Sequence, residues 1–161
     1  LFLKGDITFN TTIANMNHYK NGAVLSHDRM VRATAEEIKI MHTKCMGPDD
    51  MITSLSGGNQ QKVVIGRSLS TSPKLVILDE PTRGIDAGAR GDVYSIIHQL
   101  RNQGVSVLLI SSDMEEIVEL SDRVMTVCQG RINGEFTGED INQDNLMAAS
   151  FGITKNTEVE A

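Results

Sequence analysis

The apolar residues of this chain are most regularly patterned between residues 75 and 111. Leu75 to Leu78 form an unbroken apolar run, which is typical of a strand buried on both faces of a parallel sheet. A second run covers Val105 to Ser111. Between the two runs, apolar residues recur at helical spacing at Val93, Ile96, Ile97 and Leu100. This strand, helix, strand order predicts an α/β fold with a mostly parallel sheet and flanking helices.

Polar residues mark the predicted ends of these elements. Asp86 is placed to cap the helix between the two runs, and Asn102-Gln103-Gly104 supplies its stop signal. A capping-box pattern, with Ser112 or Asp113 as the cap, precedes a second amphipathic stretch. A helix is therefore predicted after each apolar run.

The two ends of the chain carry weaker patterns. Asp28 precedes apolar residues at helical spacing, which predicts a small helical region before Ser54. Arg123 to Cys128 and Arg131 to Phe136, joined by Gln129-Gly130, are predicted to be a pair of strands. Asn142 is placed to start a short helix, and the polar residues 154–161 are expected to fray.

The charge of the chain limits the kinds of molecule that are expected to bind it. Its 161 residues carry a formal net charge of −6, and the 15 Lys and Arg residues are scattered with no two adjacent. Because phosphate backbones are bound by clustered basic residues, nucleic acid is not expected as a partner. No apolar stretch approaches the roughly 20 residues that span a bilayer, so membrane association is expected to come through another protein. The chain begins without an initiator Met and is expected to be part of a longer protein.

The cysteines and histidines do not have the spacing of metal ligands. Cys45 and Cys128 stand far apart with no CxxC pattern, which favours reduced thiols in a cytoplasmic protein. The four histidines have no accompanying Cys or carboxylate cluster and are interpreted as solvated residues.

The strongest signal for chemistry is the segment LSGGNQQK at residues 55–62. Gly57 and Gly58 allow backbone N–H groups to approach an anion, and the helix predicted after them points the positive end of its dipole at the same place. Ser56 adds a hydroxyl donor. Ser-Gly-Gly alone is also common as a flexible turn before a helix, so the segment indicates phosphate binding only in combination with its neighbours.

Two acidic residues follow the first apolar run. Asp79 and Glu80 stand at its C-terminal end, where open α/β sheets place their ligands. In phosphoryl transfer such a pair holds Mg²⁺ and polarises the attacking water, which fits Asp79 and Glu80 respectively. An isolated Asp-Glu pair also commonly starts a solvated turn before a proline such as Pro81.

The ordered motifs LSGGNQQK, LVILDEPTRGID and LLISSD resemble the second half of an ABC (ATP-binding cassette) nucleotide-binding domain. The resemblance covers nearly the whole chain and implies the C-terminal part of a P-loop NTPase fold that uses ATP and Mg²⁺. It implies a nucleotide-binding signature segment consisting of Ser56, Gly57, Gly58, Asn59 and Gln60, which contacts the γ-phosphate across a dimer interface. It also implies that Asp79 is the metal ligand of the Walker B motif and Glu80 the catalytic base that follows it. Arg83 to Asp86 would be the D-loop, with Asp86 and Ser112 at the nucleotide.

Two features depart from a complete cassette. The P-loop pattern GxxxxGK followed by Ser or Thr is absent, and its nearest approach, Gly66-Arg67-Ser68, lacks the upstream glycine and the lysine. The 161 residues alone are therefore expected to be inactive. Ser112 occupies the switch position, where most cassettes have a histidine, and a hydroxyl cannot take the proton-shuttling role of imidazole. Both the Ser112 departure and the sequence NQQK resemble the second cassette of sugar importers whose ATPase subunit carries two cassettes.

The resemblance implies the ATP-hydrolysing subunit of a bacterial carbohydrate importer, peripheral to the cytoplasmic face of the inner membrane. Its implied partners are a second cassette supplying the P-loop, membrane permease subunits and, indirectly, a periplasmic sugar-binding protein. Residues 1–54 are expected to be the remainder of a helical subdomain, 55–136 the signature helix and Walker B half, and 137–161 the C-terminal helix and tail. Residues 137–152 resemble the C-termini of ribose and autoinducer-2 importers, which favours a pentose or a similar furanose.

Two alternatives stay open at this point. A soluble ABC-type ATPase acting on DNA or the ribosome would share the signature and Walker B motifs, although the scattered basic residues disfavour it. A catalytically silent remnant of a truncated gene would also carry these motifs.

Overall fold

The structure is a computed structural model that describes residues 1–153, so the expectation for residues 154–161 lies outside the described part. The chain divides into two compact units, Leu1–Leu108 and Leu109–Ala161. The first unit contains α1 (Ile7–Thr12), a 3₁₀ segment (Ile13–Tyr19), β1 (Lys20–Asn21), β2 (Val24–Leu25), α2 (His27–Ile40), a 3₁₀ turn (Ile52–Ser54), α3 (Gly57–Leu69), β3 (Leu75–Asp79) and α4 (Ala87–Asn102). The unit boundary falls within β4 (Ser106–Ile110). The second unit contains α5 (Met114–Leu120), β5 (Arg123–Cys128), β6 (Arg131–Thr137), a 3₁₀ turn (Gly138–Asp140) and α6 (Gln143–Ser150).

The first unit is built around helix α1, which packs against α2 and α3. The apolar core beside it contains Ile7 of α1, Val63 of α3, and Ile52 and Leu55 from the segment before α3. This core fixes the start of α3 because Leu55 directly precedes the signature segment. Among residues 1–153, none of the helices is both long enough and apolar enough to cross a bilayer.

One face of β3 is open. Val76 and Leu78 are buried, whereas Leu75 and Ile77 are 53% and 59% exposed. The paired strand β4 similarly presents Leu108. The expectation that both faces of this strand are buried is therefore wrong for the described residues. An unbroken apolar run needs a covering layer on each side, and these residues supply only one.

The second unit contains an antiparallel hairpin of β5 and β6, as the sequence predicted, with Cys128 paired to Arg131 at its closed end. The two central turn residues, Gln129 and Gly130, have φ values of +50° and +76°. Positive φ at both positions is the signature of a type I′ turn, which twists in the same sense as the strands it joins. Glycine adopts this conformation freely, but glutamine is strained there.

Replacing Gln129 by Asn is expected to stabilise the protein by on the order of 0.5 kcal/mol, because Asn tolerates positive φ better than other L-residues and Asn-Gly is the preferred type I′ pair. Urea unfolding followed by circular dichroism measures the change. The control is Gln129→Ala, which leaves a strained Cβ residue at the same position and is expected to bring no gain. An Asn variant less stable than the parent protein would contradict the turn assignment.

Candidate functional site

The signature segment lies at the start of helix α3, with Ser56 as the N-cap residue. Ser56 and Gly57 are exposed. The first backbone N–H groups of a helix have no carbonyl partner within it, so this end presents donors to an anion. The Ser56 hydroxyl does not cap the helix but accepts a hydrogen bond of 2.9 Å from Nδ2 of Asn59.

The other polar side chains of the segment help to hold its shape. Oδ1 of Asn59 accepts a hydrogen bond of 2.8 Å from the backbone N–H of Lys44, in the loop after α2. Nε2 of Gln60 donates to the carbonyl of Leu55 at 3.0 Å. Asn59 and Gln60 are therefore part of the local scaffold, and direct contact of either side chain with a nucleotide stays a prediction.

Helix α4 begins beside the signature segment. Oδ1 of Asp86 accepts a hydrogen bond of 3.0 Å from Ala89 N–H, so Asp86 is the cap that the sequence predicted. This backbone bond lowers the pKa of the Asp86 carboxyl below its ordinary value. A Cβ added at Gly57 would lie 3.9 Å from the carbonyl oxygen of Gly84, and one added at Gly58 would overlap Cβ of Ala89. The structure therefore brings the signature segment and the D-loop together.

The two acidic residues lie where β3 ends. Asp79 is the last residue of the strand and is exposed, whereas Glu80 is half-buried. Glu80 has a φ of +48°, and its carbonyl accepts a hydrogen bond of 3.1 Å from Arg83 N–H. A left-handed conformation costs a residue with a Cβ roughly 1 kcal/mol, and such strain is found most often at functional turns.

The exposed carboxylate of Asp79 is a suitable oxygen donor for Mg²⁺, which commonly takes one or two carboxylates and completes its shell with water and substrate phosphates. Among residues 1–153, no group of three or more His, Cys, Asp or Glu side chains could hold a metal ion by itself. A single exposed carboxylate such as that of Asp79 suits a metal whose other ligands are water and substrate phosphates.

Ser112 lies in the second unit and is exposed. It directly precedes Asp113, which is the N-cap of α5 and accepts hydrogen bonds from the N–H groups of Glu115 at 3.0 Å and Glu116 at 3.3 Å. Of the two caps that the sequence allowed, the structure selects Asp113. The Ser112 side chain is thus not required as a helix cap, and its role at a nucleotide stays a prediction.

A buried ion pair that was not predicted from the sequence lies beside the signature segment. Nζ of Lys62 in α3 lies 2.5 Å from Oδ2 of Asp92 in α4, and the Lys62 side chain is 2% exposed. The spacing along α3 gave a signal for the burial of Lys62, although not for its partner. Lys62 lies four residues after Gly58 and four before Gly66, on the face of α3 where both glycines are buried.

A second close approach lies one turn further along α3, at Gly66. Gly66 packs against the carboxylate of Glu37 from α2, which occupies the space that a Cβ of Gly66 would need. Glu37 also lines a cavity of about 340 Å³ together with Tyr19 and Ser70. Burial of the Glu37 side chain raises the pKa of its carboxyl above the ordinary value.

We expect Glu37→Gln to stabilise the protein at pH 8. A raised pKa means that the folded state binds the proton more tightly than the unfolded state, so stability is highest below the ordinary Glu pKa of about 4.3 and falls as the pH rises through the raised folded value. Glutamine removes this loss, and its advantage should shrink towards pH 4. Urea unfolding at several pH values tests this, with Glu36→Gln as the matched control because Glu36 is exposed. Equal effects of the two changes would contradict the prediction.

Comparison with known proteins agrees with this geometry. A protein family described as ABC transporter matches residues 4–83. The chain is 41% identical over 150 residues to the galactose/methyl galactoside import ATP-binding protein MglA of Treponema pallidum, an alignment that covers 93% of this chain. The chain belongs to the ABC transporter ATP-binding family. The resemblance drawn from its ordered motifs is confirmed.

Other relatives of this ABC protein are also named for sugar import. It is 40% identical to the xylose import ATP-binding protein XylG of Moorella thermoacetica and 38% identical to the ribose import ATP-binding protein RbsA of Bacillus cereus, with 94% of this chain covered in each case. The chain spans only about 30% of the length of these relatives.

Solved structures confirm the predicted α/β nucleotide-binding fold. An ATP-binding cassette of an ABC transporter superposes with a TM-score of 0.73 at 23% identity, covering 90% of this chain and 62% of that one. A dimeric ATP-binding cassette bound to ADP and Pi gives a TM-score of 0.71 at 20% identity, covering 85% and 58%. At these identities the likeness establishes the fold alone.

Proposed function

We propose that this chain is part of the ATP-hydrolysing subunit of a bacterial carbohydrate importer, and that its signature segment binds the phosphates of ATP together with a P-loop from elsewhere in the protein. The observation that carries the proposal is the exposed start of α3, where Ser56 and Gly57 open the helix and Gly57 lies beside Gly84 of the D-loop. The names of the relatives, which cover galactose, xylose and ribose import, support a monosaccharide as the cargo.

The proposed chemistry assigns separate tasks to the residues at the end of β3. Asp79 would hold Mg²⁺, which neutralises phosphate charge when bound. Glu80 would accept a hydrogen bond from the attacking water and take its proton as the new phosphorus–oxygen bond forms. The left-handed backbone of Glu80 supports this role because it ends β3 and turns the chain away from the direction of the strand.

The nucleotide site that uses Asp79 and Glu80 is proposed to be a weak catalyst. Ser112 stands where an imidazole would be expected, and a neutral hydroxyl provides less charge stabilisation to a transferring phosphoryl group than a cationic or proton-donating side chain. The main contribution of this chain to hydrolysis is then its signature segment, acting on a nucleotide held by another cassette.

The open face of β3 supports the view that more polypeptide completes this cassette. Leu75, Ile77 and Leu108 would otherwise leave apolar side chains in water, at a cost of roughly 25 cal/mol for each Å² of apolar surface. We propose that the P-loop half of the cassette covers this face. The proposed partners beyond it are a second cassette, membrane permease subunits and, indirectly, a periplasmic sugar-binding protein, which places the complex at the cytoplasmic side of the inner membrane.

The division of the chain by task is part of the same proposal. In this proposal residues 1–54 complete a helical subdomain, residues 55–136 carry the signature helix and Walker B half, and the region from residue 137 onward contributes helix α6 (Gln143–Ser150). That the transported sugar is a pentose or an autoinducer-2-like furanose, as the resemblance of residues 137–152 favours, stays a prediction. Uptake of labelled sugars by a strain lacking the gene tests it.

The requirement for an external P-loop is tested by measuring MgATP hydrolysis with the 161 residues alone and with the full-length protein. We expect turnover only from the full-length protein, because phosphate cradling by a P-loop supplies most of the ground-state contacts. Circular dichroism of the 161-residue chain must show that it is folded. Turnover by that chain which disappears in Glu80→Gln would overturn the proposal.

A further inference from the structure

Lys62 is a charged side chain on a helix face that is otherwise small or apolar. Gly58, Ile65 and Gly66 share this face of α3 and are buried, and the Lys62 side chain itself is 2% exposed. An ammonium group taken out of water is unfavourable unless charged and hydrogen-bonding partners replace its hydration. Its presence here therefore indicates a specific arrangement around Nζ.

Two partners from different elements surround Nζ. The carboxylate of Asp92, in the second turn of α4, lies 2.5 Å away, and the carbonyl oxygen of His42, directly after α2, accepts a hydrogen bond of 2.9 Å. The backbone of His42 is left-handed, with a φ of +49°. Lys62 thus links α3 to the end of α2 and to α4 through a single atom.

The elements that Lys62 joins are those that carry the signature segment and the D-loop. The signature segment opens α3, and Asp86 of the D-loop caps α4. The close packing of Gly58 on Ala89 joins the two helices at their starts, and the ion pair joins them one turn further along. A second link to the region after α2 is the hydrogen bond from Lys44 N–H to Asn59, which holds the signature segment.

We propose that Lys62 is a positioning residue that holds the signature segment and the D-loop in one fixed arrangement, so that both are presented to the same nucleotide as a unit. This inference rests on the proposed function. Lys62 itself does not contact the nucleotide; it acts by fixing the register of α3 against α4. Loss of the pair frees α3 to shift, and displacement of a binding group by about 1 Å is enough to lose a large part of its contribution.

The first test compares steady-state MgATP hydrolysis by the full-length protein and its variants. Lys62→Met and Asp92→Asn should each raise KM for ATP by about tenfold while kcat stays nearly unchanged, since the contact that is weakened forms on binding. Asp92→Glu keeps the charge at the more exposed end of the pair and should stay close to the parent KM.

A double variant separates positioning from stability. Replacing both partners, as in Lys62→Met/Asp92→Met, removes the unpaired charge that a single change leaves, so thermal stability should return towards that of the parent protein. Positioning predicts that KM stays raised in the double variant. Recovery of KM together with stability would show that Lys62 is merely structural and would overturn the inference.

A second readout does not depend on ATP hydrolysis. Spin labels at Ser68→Cys on α3 and Ser95→Cys on α4, both exposed positions, report the distance between the helices in a cysteine-free background. Lys62→Met should broaden this distance distribution, and an unchanged distribution would overturn the inference. If the parent protein failed to hydrolyse ATP, the proposed function would fail, yet the distances would still decide whether Lys62 fixes the two helices.

Discussion

A single methyl group at Gly58 is expected to destabilise the protein by about 2 kcal/mol and to abolish its proposed contribution to ATP hydrolysis. Gly58 is buried in the first turn of α3, and an added Cβ would overlap Cβ of Ala89, which is held by helix α4. Neither atom belongs to a flexible side chain, so the helices themselves must separate. Overpacking of this kind costs about 1–3 kcal/mol, and the separation moves the signature segment away from the D-loop. Urea unfolding and MgATP hydrolysis of the full-length protein measure the two effects.

Two further variants distinguish a steric clash from a general intolerance of side chains in this segment. Gly57→Ala places its Cβ 3.9 Å from the Gly84 carbonyl, an ordinary contact, and should fold normally. Ala89→Gly removes the opposing methyl group, so Gly58→Ala/Ala89→Gly should recover most of the lost stability. A Gly58→Ala protein as stable as Gly57→Ala would contradict the close packing of α3 on α4.

An aspartate at Gly57 is expected to separate stability from function. Gly57 is the exposed first residue of α3, where a negative charge interacts favourably with the helix dipole, so stability should rise by about 0.3–1 kcal/mol. The same carboxylate would face the phosphates proposed to bind there and would repel them. MgATP hydrolysis by the full-length protein should fall by roughly 100-fold or more, the scale seen when an enzyme loses oxyanion stabilisation.

The matched control for this change is Gly57→Asn, which has nearly the same shape and no charge. It should retain far more activity than Gly57→Asp, and the gap between the two should narrow at high salt, because exposed charges are screened. Equal losses in both variants would indicate that bulk and not charge is responsible, against phosphate binding at this helix end.

Helix α4 is an element whose structure could be predicted from the sequence pattern. Its four periodic apolar residues are all buried. Its predicted cap, Asp86, accepts a hydrogen bond from the N–H of Ala89 in the first turn. The hairpin of β5 and β6 follows the same logic, since the Gln129-Gly130 turn is defined by two adjacent residues. In such elements local spacing alone determines the structure.

Helix α1 was not predicted because, apart from Ile7, its buried residues are polar. Thr8, Asn10, Thr11 and Thr12 are all buried. Asn10 Nδ2 donates to the carbonyls of Phe2 and Asp6, and the Thr12 hydroxyl donates to the carbonyl of Thr8. A run of Thr and Asn resembles a loop in sequence, and only these hydrogen bonds make its burial favourable.

The order of the site's motifs along the chain could be predicted from the sequence, but the contacts between them could not. The sequence placed the signature segment before a helix and Asp79 and Glu80 at the end of a strand, as observed. It could not show that Lys62 finds Asp92 thirty residues away, because a lysine on a helix is ordinarily interpreted as solvated. It also implied a second covering layer for β3 that the described residues do not contain.

This chain is proposed to contribute to hydrolysis mainly through its signature segment, and only weakly through its own Asp79 and Glu80. The most direct test compares MgATP hydrolysis by the full-length protein carrying either Gly57→Asp or Glu80→Gln. We expect Gly57→Asp to remove nearly all turnover, whereas Glu80→Gln should lower it by far less than the roughly 100-fold that follows loss of a working general base. Abolished turnover in Glu80→Gln, with Gly57→Asp left active, would contradict this proposal.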